Sequence, residues 1–178
     1  QMHYTNKIVN YYWSILLICL SLLSCNNLGS SGDREAKGKV NGKGEAVTII
    51  FDTDIAGDYD DVGAMGMLHA LADRGEVKIL AIMASNLNSL VVPTISVINT
   101  YFKRPDLPVG APKTPGVNQN SFELGWPDSL VAHYPYTYKS TNEAPDAVNV
   151  YRKLLSEQPD SSVTIVSVGF LTNMKNLL

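Results

Sequence analysis

The chain has 178 residues, of which 45% are hydrophobic, and a formal net charge of -3 at pH 7. This length and composition indicate one globular domain, and the acidic balance argues against a nucleic-acid-binding surface. Its two cysteines, Cys19 and Cys25, both precede the region of predicted strands and helices, so neither a disulfide nor a thiol nucleophile is expected there.

Residues 1–25 have the pattern of a bacterial export signal. Lys7 precedes an apolar run that ends in Ser24-Cys25, a small residue before a cysteine as in a lipobox. The pattern predicts cleavage before Cys25, lipidation of Cys25, and an exported protein held to a membrane only by this lipid anchor. An ordinary signal peptide or a transmembrane anchor is the alternative. Residues 26–45 are predicted to be a flexible tether to a domain that covers 46–178.

The rest of the chain alternates strand and helix patterns. Strands are predicted at 47–51, 77–83, 107–110 and 163–168, and helices at 62–74, 90–103, 144–157 and from 171 onward. This order predicts an α/β fold with an open, mostly parallel, Rossmann-like sheet and helices on both faces. The long segment 111–143 is predicted to be either a partly ordered flap over the strand ends or a surface excursion.

The most informative feature is a cluster of five aspartates within ten residues, directly after the first predicted strand. They are Asp52, Asp54, Asp58, Asp60 and Asp61. Carboxylates this close raise one another's pKa values unless a positive charge lies among them. Hard cations such as Ca²⁺ and Mg²⁺ prefer oxygen ligands, and open α/β sheets bind ligands at the carboxyl ends of their strands. The run therefore predicts a metal site at the end of this strand.

Two known kinds of acidic site fit the run only in part. An EF-hand is excluded, because Ala56 and Gly63 stand where that loop requires a ligand. A haloacid-dehalogenase-like phosphatase would use Asp52 as nucleophile and Asp54 as acid or base. That alternative leaves Asp60 and Asp61 without a role.

Three motifs, in chain order, carry a more specific resemblance. The first is Asp52-Thr53-Asp54 with Asp60-Asp61, the second is Ala84-Ser85-Asn86, and the third is the segment 168–173. Together they resemble the inosine-uridine-preferring nucleoside hydrolases over residues 47–178. The resemblance implies Ca²⁺-dependent hydrolysis of the N-glycosidic bond of ribonucleosides, and a homo-oligomer is compatible with it.

The resemblance also implies a role for each matching residue. Asp54 would be the general base and a calcium ligand, with Asp61 and the backbone carbonyl of Val168 as further ligands. Asp60 and Asn86 would contact the ribose. Asp52 would stabilise the turn by accepting hydrogen bonds from backbone N–H groups.

The chain departs from the family pattern in two respects. Five residues separate Asp54 from Asp60, more than the family commonly has, and Asp58 among them has no implied role. The family's later ribose cluster and its His-Asp pair have no counterpart before Leu178. We therefore expect an N-terminal portion of a longer enzyme, without a complete site. A phosphatase and a non-catalytic sugar- or nucleoside-binding lipoprotein remain as alternatives.

Overall fold

The computed structural model describes residues 44–113, 115–119 and 125–178. The predicted signal segment, Cys25 and nearly all of the predicted tether lie outside the described residues, and residues 44–46 precede the first strand without regular structure. Within the described ranges, no helix is both long and apolar enough to cross a membrane.

Strands and helices alternate along the described chain, as predicted. The strands are β1 (Val47–Thr53), β2 (Val77–Ala84), β3 (Val109–Gly110) and β4 (Val163–Ser167). The α-helices are α1 (Asp60–Asp73), α2 (Val91–Tyr101), α3 (Trp126–His133), α4 (Ala147–Ser156) and α5 (Thr172–Leu177), and a 3₁₀ helix covers Thr141–Glu143. β3 has only two residues where four were predicted. β1 extends to Thr53, so the end of this strand already contains Asp52, the first residue of the aspartate run.

The four strands form one open, parallel sheet in the order β3-β2-β1-β4. The predicted α/β fold class is confirmed. The chain builds outward from β1 to β2 and β3, then returns to place β4 on the other side of β1. Strand order therefore reverses between β1 and β4, and the crevice at the carboxyl ends of such a pair is where open α/β sheets bind ligands.

Helices cover both faces of the sheet, also as predicted. Neighbouring residues of a strand point to opposite faces. Phe51 of β1 packs in a cluster with Met65 of α1 and Ile95 of α2, whereas Ile50 packs with Tyr151 of α4. The sheet is thus enclosed between α1 and α2 on one side and α4 and α5 on the other.

Helix α3 was not predicted, since the sequence around it resembles a loop. It begins after Gly125, whose φ of 59° is a left-handed conformation that glycine adopts readily, and Pro127 lies in its first turn. Proline breaks a helix interior but is favoured in the first turn, where its missing N–H would have no helical partner. Pro127 therefore helps to start a short helix within the segment that was predicted to be a flap or a surface excursion.

Candidate metal and substrate site

The three predicted motifs meet at one edge of the sheet. Asp52 pairs with Met83 of β2 on one side and with Ser167 of β4 on the other. The residues that follow these strands therefore emerge side by side: Asp54 after β1, Ser85 and Asn86 after β2, and Val168 after β4. The structure thus brings together the predicted site residues at the reversal of strand order.

Asp52 is a buried brace beneath this edge. Its Oδ2 accepts hydrogen bonds from the Tyr151 hydroxyl and from the Asn173 amide, each at 2.9 Å. The Asn173 amide also donates to the Ala84 carbonyl at 2.7 Å, which ties β1 and β2 to α5. Burial raises the pKa of Asp52 to about 6, although the hydrogen bonds from Asn173 and Tyr151 act in the opposite direction.

The predicted donors to Asp52 need correction. The resemblance implied backbone N–H donors, whereas the hydrogen bonds to Asp52 found in the described part of the chain come from side chains of α4 and α5. The reason is the position of Asp52 inside β1. Its neighbours' N–H groups are used in the sheet, and its side chain points to the face that α4 and α5 cover.

We expect Tyr151→Phe to lower the free energy of unfolding by about 1–3 kcal/mol, because it removes a donor from a buried carboxylate and keeps the ring. Urea denaturation at pH 7.5 measures this loss. Tyr101→Phe is the matched control, since Tyr101 is exposed and should tolerate the change. Equal stability of the two variants would contradict the role of Tyr151 as a brace.

The turn after β1 is conformationally unusual. Ala56 is buried and has a φ of 105°, a region that residues with a Cβ rarely adopt. The next residue, Gly57, accepts a hydrogen bond at 3.1 Å from the indole N–H of Trp126. The Trp126 ring also lies 5.6 Å from that of Tyr59, centroid to centroid. Contacts from α3 therefore hold a strained turn in place, and strain of this kind is concentrated at functional sites.

Three carboxylates converge at the end of this turn. Asp58, Asp60 and Asp61 each offer one oxygen, and these oxygens lie within 4.8 Å of one another. Oxygens that bind one Ca²⁺ at 2.3–2.6 Å can be at most about 5 Å apart, so the spacing suits a shared ion. Asp58, to which the sequence analysis gave no role, is therefore part of the group that could hold a metal.

Hydrogen bonds orient two members of this group. The Oδ1 atom of Asp61 accepts from the Thr53 hydroxyl at 2.6 Å, and the Oδ1 atom of Asp60 accepts from the Asp61 backbone N–H at 3.0 Å. Thr53 is the last residue of β1, and Asp60 and Asp61 form the first turn of α1, where the helix dipole favours negative charge. The strand end and the helix start thus fix these two carboxylates.

The charge of the group has no paired cation among the described residues. The ion pairs found there join Arg74 to Glu76 and Arg104 to Asp73, away from the turn. Burial, followed by repulsion from the neighbouring aspartates, raises the pKa of Asp61 to about 6 against the effect of the Thr53 hydrogen bond. A hydrogen bond between Asp58 and Asp60 raises the pKa of Asp58 and lowers that of Asp60.

Asp54 lies close to the loop that follows β4. A Cβ on Gly169 would lie 2.5 Å from the Asp54 backbone nitrogen, 2.9 Å from its Oδ1 atom and 2.3 Å from the Ser85 hydroxyl. Only glycine permits this approach, which also places Val168 next to Asp54 along the edge. Burial raises the pKa of Asp54. Asp54 is not one of the three residues whose oxygens converge, so its role as a calcium ligand, like that of the Val168 carbonyl, stays a prediction.

The side chain of Asn86 is hydrogen-bonded to backbone groups of the chain. Its Oδ1 atom accepts from the backbone N–H groups of Asn88 and Gln119, at 3.0 and 3.1 Å, and its Nδ2 donates to the Gln119 carbonyl at 3.2 Å. The buried side chain therefore holds residues 115–119 against the end of β2. A ribose would have to compete with this backbone contact, and the predicted ribose contacts of Asn86 and Asp60 stay predictions.

The long segment 111–143 lies over the strand ends where the structure describes it. Val117 pairs with Asn86 after β2, and Trp126 contacts the turn after β1. Both contacts lie at the carboxyl ends of the strands; the choice between a flap and a surface excursion that packs on its own domain stays open. Sequence reasoning gave no role to Tyr151 or Trp126, since neither belongs to a local motif; Asn173 did lie in the third motif, which was the available signal.

No protein-family model matches this chain, and a search of curated proteins found no significant match. The resemblance of the three motifs to nucleoside hydrolases therefore stays a prediction.

Asp61→Asn should separate the effect of buried charge from that of shape. The pKa of Asp61 is about 6 in the folded protein and 3.8 in its ordinary state. Between pH 3.8 and pH 6 the folded protein therefore binds more protons at Asp61 than the unfolded protein does. Metal-free stability due to Asp61 is therefore highest below about pH 4 and declines as the pH rises to about 6. Asn keeps an acceptor for Thr53 without the charge. At pH 7.5 in EDTA we expect the variant to unfold at a higher temperature than the original, with a free energy of unfolding larger by at most about 3 kcal/mol.

The difference should become smaller at pH 5, where Asp61 is largely protonated in the original protein. Thermal unfolding at both pH values measures it, and His69 and other groups cancel because both proteins contain them. A variant that is less stable at pH 7.5, or a difference independent of pH, would contradict the assignment of an unpaired buried charge.

Proposed function

We propose that this protein hydrolyses the N-glycosidic bond of ribonucleosides with the help of Ca²⁺ bound at the aspartate turn. The observation that carries the proposal is the convergence of the Asp58, Asp60 and Asp61 oxygens within 4.8 Å, next to the reversal of strand order between β1 and β4. The sequence motifs then distinguish this activity from other metal-dependent reactions that such a site could support.

The donor set fits a hard divalent cation. It consists of carboxylate oxygens, and the described residues place no Lys or Arg in an ion pair with them. Asp61 would be the best-fixed ligand because Thr53 and its own helix hold it, with Asp58 and Asp60 beside it. Asp54 and the carbonyl of Val168 would complete the set from the two neighbouring strand ends.

The residues at this edge suit the hydrolysis of a glycosidic bond. When bound, Ca²⁺ would lower the pKa of a water and hold the ribose diol. Asp54 would accept a proton from the attacking water while the water oxygen bonds to the anomeric carbon of the ribose. The bond between this carbon and the base would break, and the base would leave with the electron pair. Burial raises the pKa of Asp54, which strengthens it as a proton acceptor. The surrounding carboxylates would also stabilise positive charge on the sugar.

The structure disfavours the phosphatase alternative. A nucleophilic Asp must present an accessible oxygen to the phosphorus atom, whereas the Asp52 side chain is fully buried and its Oδ2 atom accepts from Tyr151 and Asn173. A non-catalytic nucleoside-binding protein would keep the same ribose contacts, so activity has to decide between it and the hydrolase. Export and lipidation at Cys25 belong to the proposal as well, and metabolic labelling with a fatty acid tests them through a Cys25→Ser variant.

Calorimetry with EDTA-treated protein tests the metal site directly. We expect one Ca²⁺ to bind, with heat that disappears in Asp61→Asn and persists in Asp160→Asn, an exposed carboxylate far along the chain. In the protein as its gene encodes it, chromatography should detect free base released from ribonucleosides, and EDTA should stop the release. Calcium binding without any released base would favour the binding protein, and absence of calcium binding would overturn the proposal.

A further inference from the structure

A second candidate site lies among the helices on one face of the sheet. A pocket of about 530 Å³, open to solvent on one side, lies between α1, α2 and the end of α3. Val62 and Gly66 line it from α1, Val97 and Ile98 from α2, and Leu130 from α3. No acidic or basic side chain lines it within the described residues. It shares α1 with the aspartate turn but contains none of the aspartates.

The walls of this pocket are preformed. Val97 and Ile98 are buried in the core. Phe102, another lining residue, stacks on the ring of His69 with centroids 4.5 Å apart, and the His69 Nε2 atom is hydrogen-bonded to Asn99 Oδ1 at 3.1 Å. A cavity with fixed walls requires little rearrangement to accept a ligand, which favours binding.

The rim of the pocket carries exposed aromatic rings. Tyr101 and Tyr134 line the pocket, yet their side chains are 76% and 55% exposed. Large aromatic side chains that remain in water beside an apolar cavity are typical of binding surfaces, because a ligand can cover their rings while their hydroxyl groups stay hydrated.

The interior of α1 leaves the pocket open. A Cβ on Gly66 would meet no atom within 4 Å, so neither crowding nor close backbone approach requires a glycine there. Glycine inside a helix costs about 0.5–1 kcal/mol relative to alanine. Any larger side chain at this position would extend into the pocket. Gly63, one turn earlier, has equally open surroundings but is exposed and does not line the pocket.

We propose that this pocket binds an uncharged, largely apolar ring compound. Its volume lies within the range of small-molecule sites, about 300–1,000 Å³. A charged ligand would lose its hydration without gaining a charged partner, whereas apolar rings would be covered by Val, Ile and Leu side chains and stack at the tyrosine rim. The site does not depend on the proposed hydrolase, since none of its residues belongs to the metal turn.

Fluorescence titration of the full chain with N-phenyl-1-naphthylamine, an uncharged two-ring probe, tests the proposal. We expect saturable binding of one probe per chain with a dissociation constant in the micromolar range. Gly66→Phe should fill the pocket and weaken binding at least tenfold, and Gly63→Phe, on the same helix, should leave it unchanged. The sulfonated probe 8-anilinonaphthalene-1-sulfonate, similar in size but charged, should bind at least tenfold more weakly.

Circular dichroism and thermal unfolding establish that both variants fold. If Gly66→Phe loses its cooperative transition, Gly66→Met takes its place, with the same expected direction. Non-saturable fluorescence, equal affinity in the Gly66 and Gly63 variants, or equal binding of the charged probe would each overturn the proposal. So would self-association, measured by sedimentation, that disappears in the Gly66 variant, because a second copy of the chain would then be the occupant.

Discussion

Replacing Asp54 with Asn should reduce kcat/KM for nucleoside hydrolysis by about 10²–10⁴-fold, the usual contribution of a general base. Asn has nearly the same size as Asp but cannot accept the proton of the attacking water. Asp54 lies just after the last residue of β1, half-buried beside Gly169, so the substitution should leave the sheet intact. The assay uses the protein as its gene encodes it, with circular dichroism to confirm folding.

The pH profile provides a second measure of the same role. Burial raises the pKa of Asp54 above the ordinary 3.8, so the acid limb of kcat/KM in the original protein should lie above that value and should disappear in Asp54→Asn. Asp160→Asn, a change of the same chemistry at an exposed turn, should behave like the original. Unchanged turnover in Asp54→Asn would remove Asp54 as the base and leave the remaining aspartates as metal or sugar contacts.

The substitution with the largest expected effect on the architecture of the site is Gly169→Ala. One added methyl group would lie 2.5 Å from the Asp54 backbone nitrogen and 2.3 Å from the Ser85 hydroxyl. These distances are far below van der Waals contact, and two of the neighbours belong to the ends of β1 and β2. We expect the loop after β4 to move away from β1, with a loss of about 1–3 kcal/mol in the free energy of unfolding.

The displacement should also separate Val168 from Asp54, so Ca²⁺ affinity should decrease together with stability. Urea denaturation and calorimetry measure the two effects. Gly44→Ala is the control, because a Cβ there would meet no atom within 4 Å. If Gly169→Ala retains both stability and Ca²⁺ affinity, the close approach of the β4 loop to Asp54 is not needed for the site.

Local sequence patterns were sufficient to predict the fold class. The apolar runs of β1, β2 and β4 alternate with helical segments, and parallel strands need long crossover connections, which are right-handed and place helices on the faces of the sheet. The same reasoning located Asp54, Asn86 and Val168 at one edge, since residues that follow parallel strands emerge at the same end. It failed for α3, where Pro127 has opposite meanings in a loop and in the first turn of a helix.

Only the tertiary structure shows which residues far apart in the sequence contact the site. Asp52 is hydrogen-bonded to Tyr151, 99 residues away, and to Asn173, 121 residues away, and Trp126 contacts Gly57 across 69 residues. Periodicity and motif spacing carry no information about such contacts, because they arise only when helices pack on the sheet. The conformation of the turn also brings an oxygen of Asp58 within 4.8 Å of oxygens of Asp60 and Asp61. The sequence by itself therefore determined where the carboxylates occur, and the folded turn decided which of them could share a metal ion.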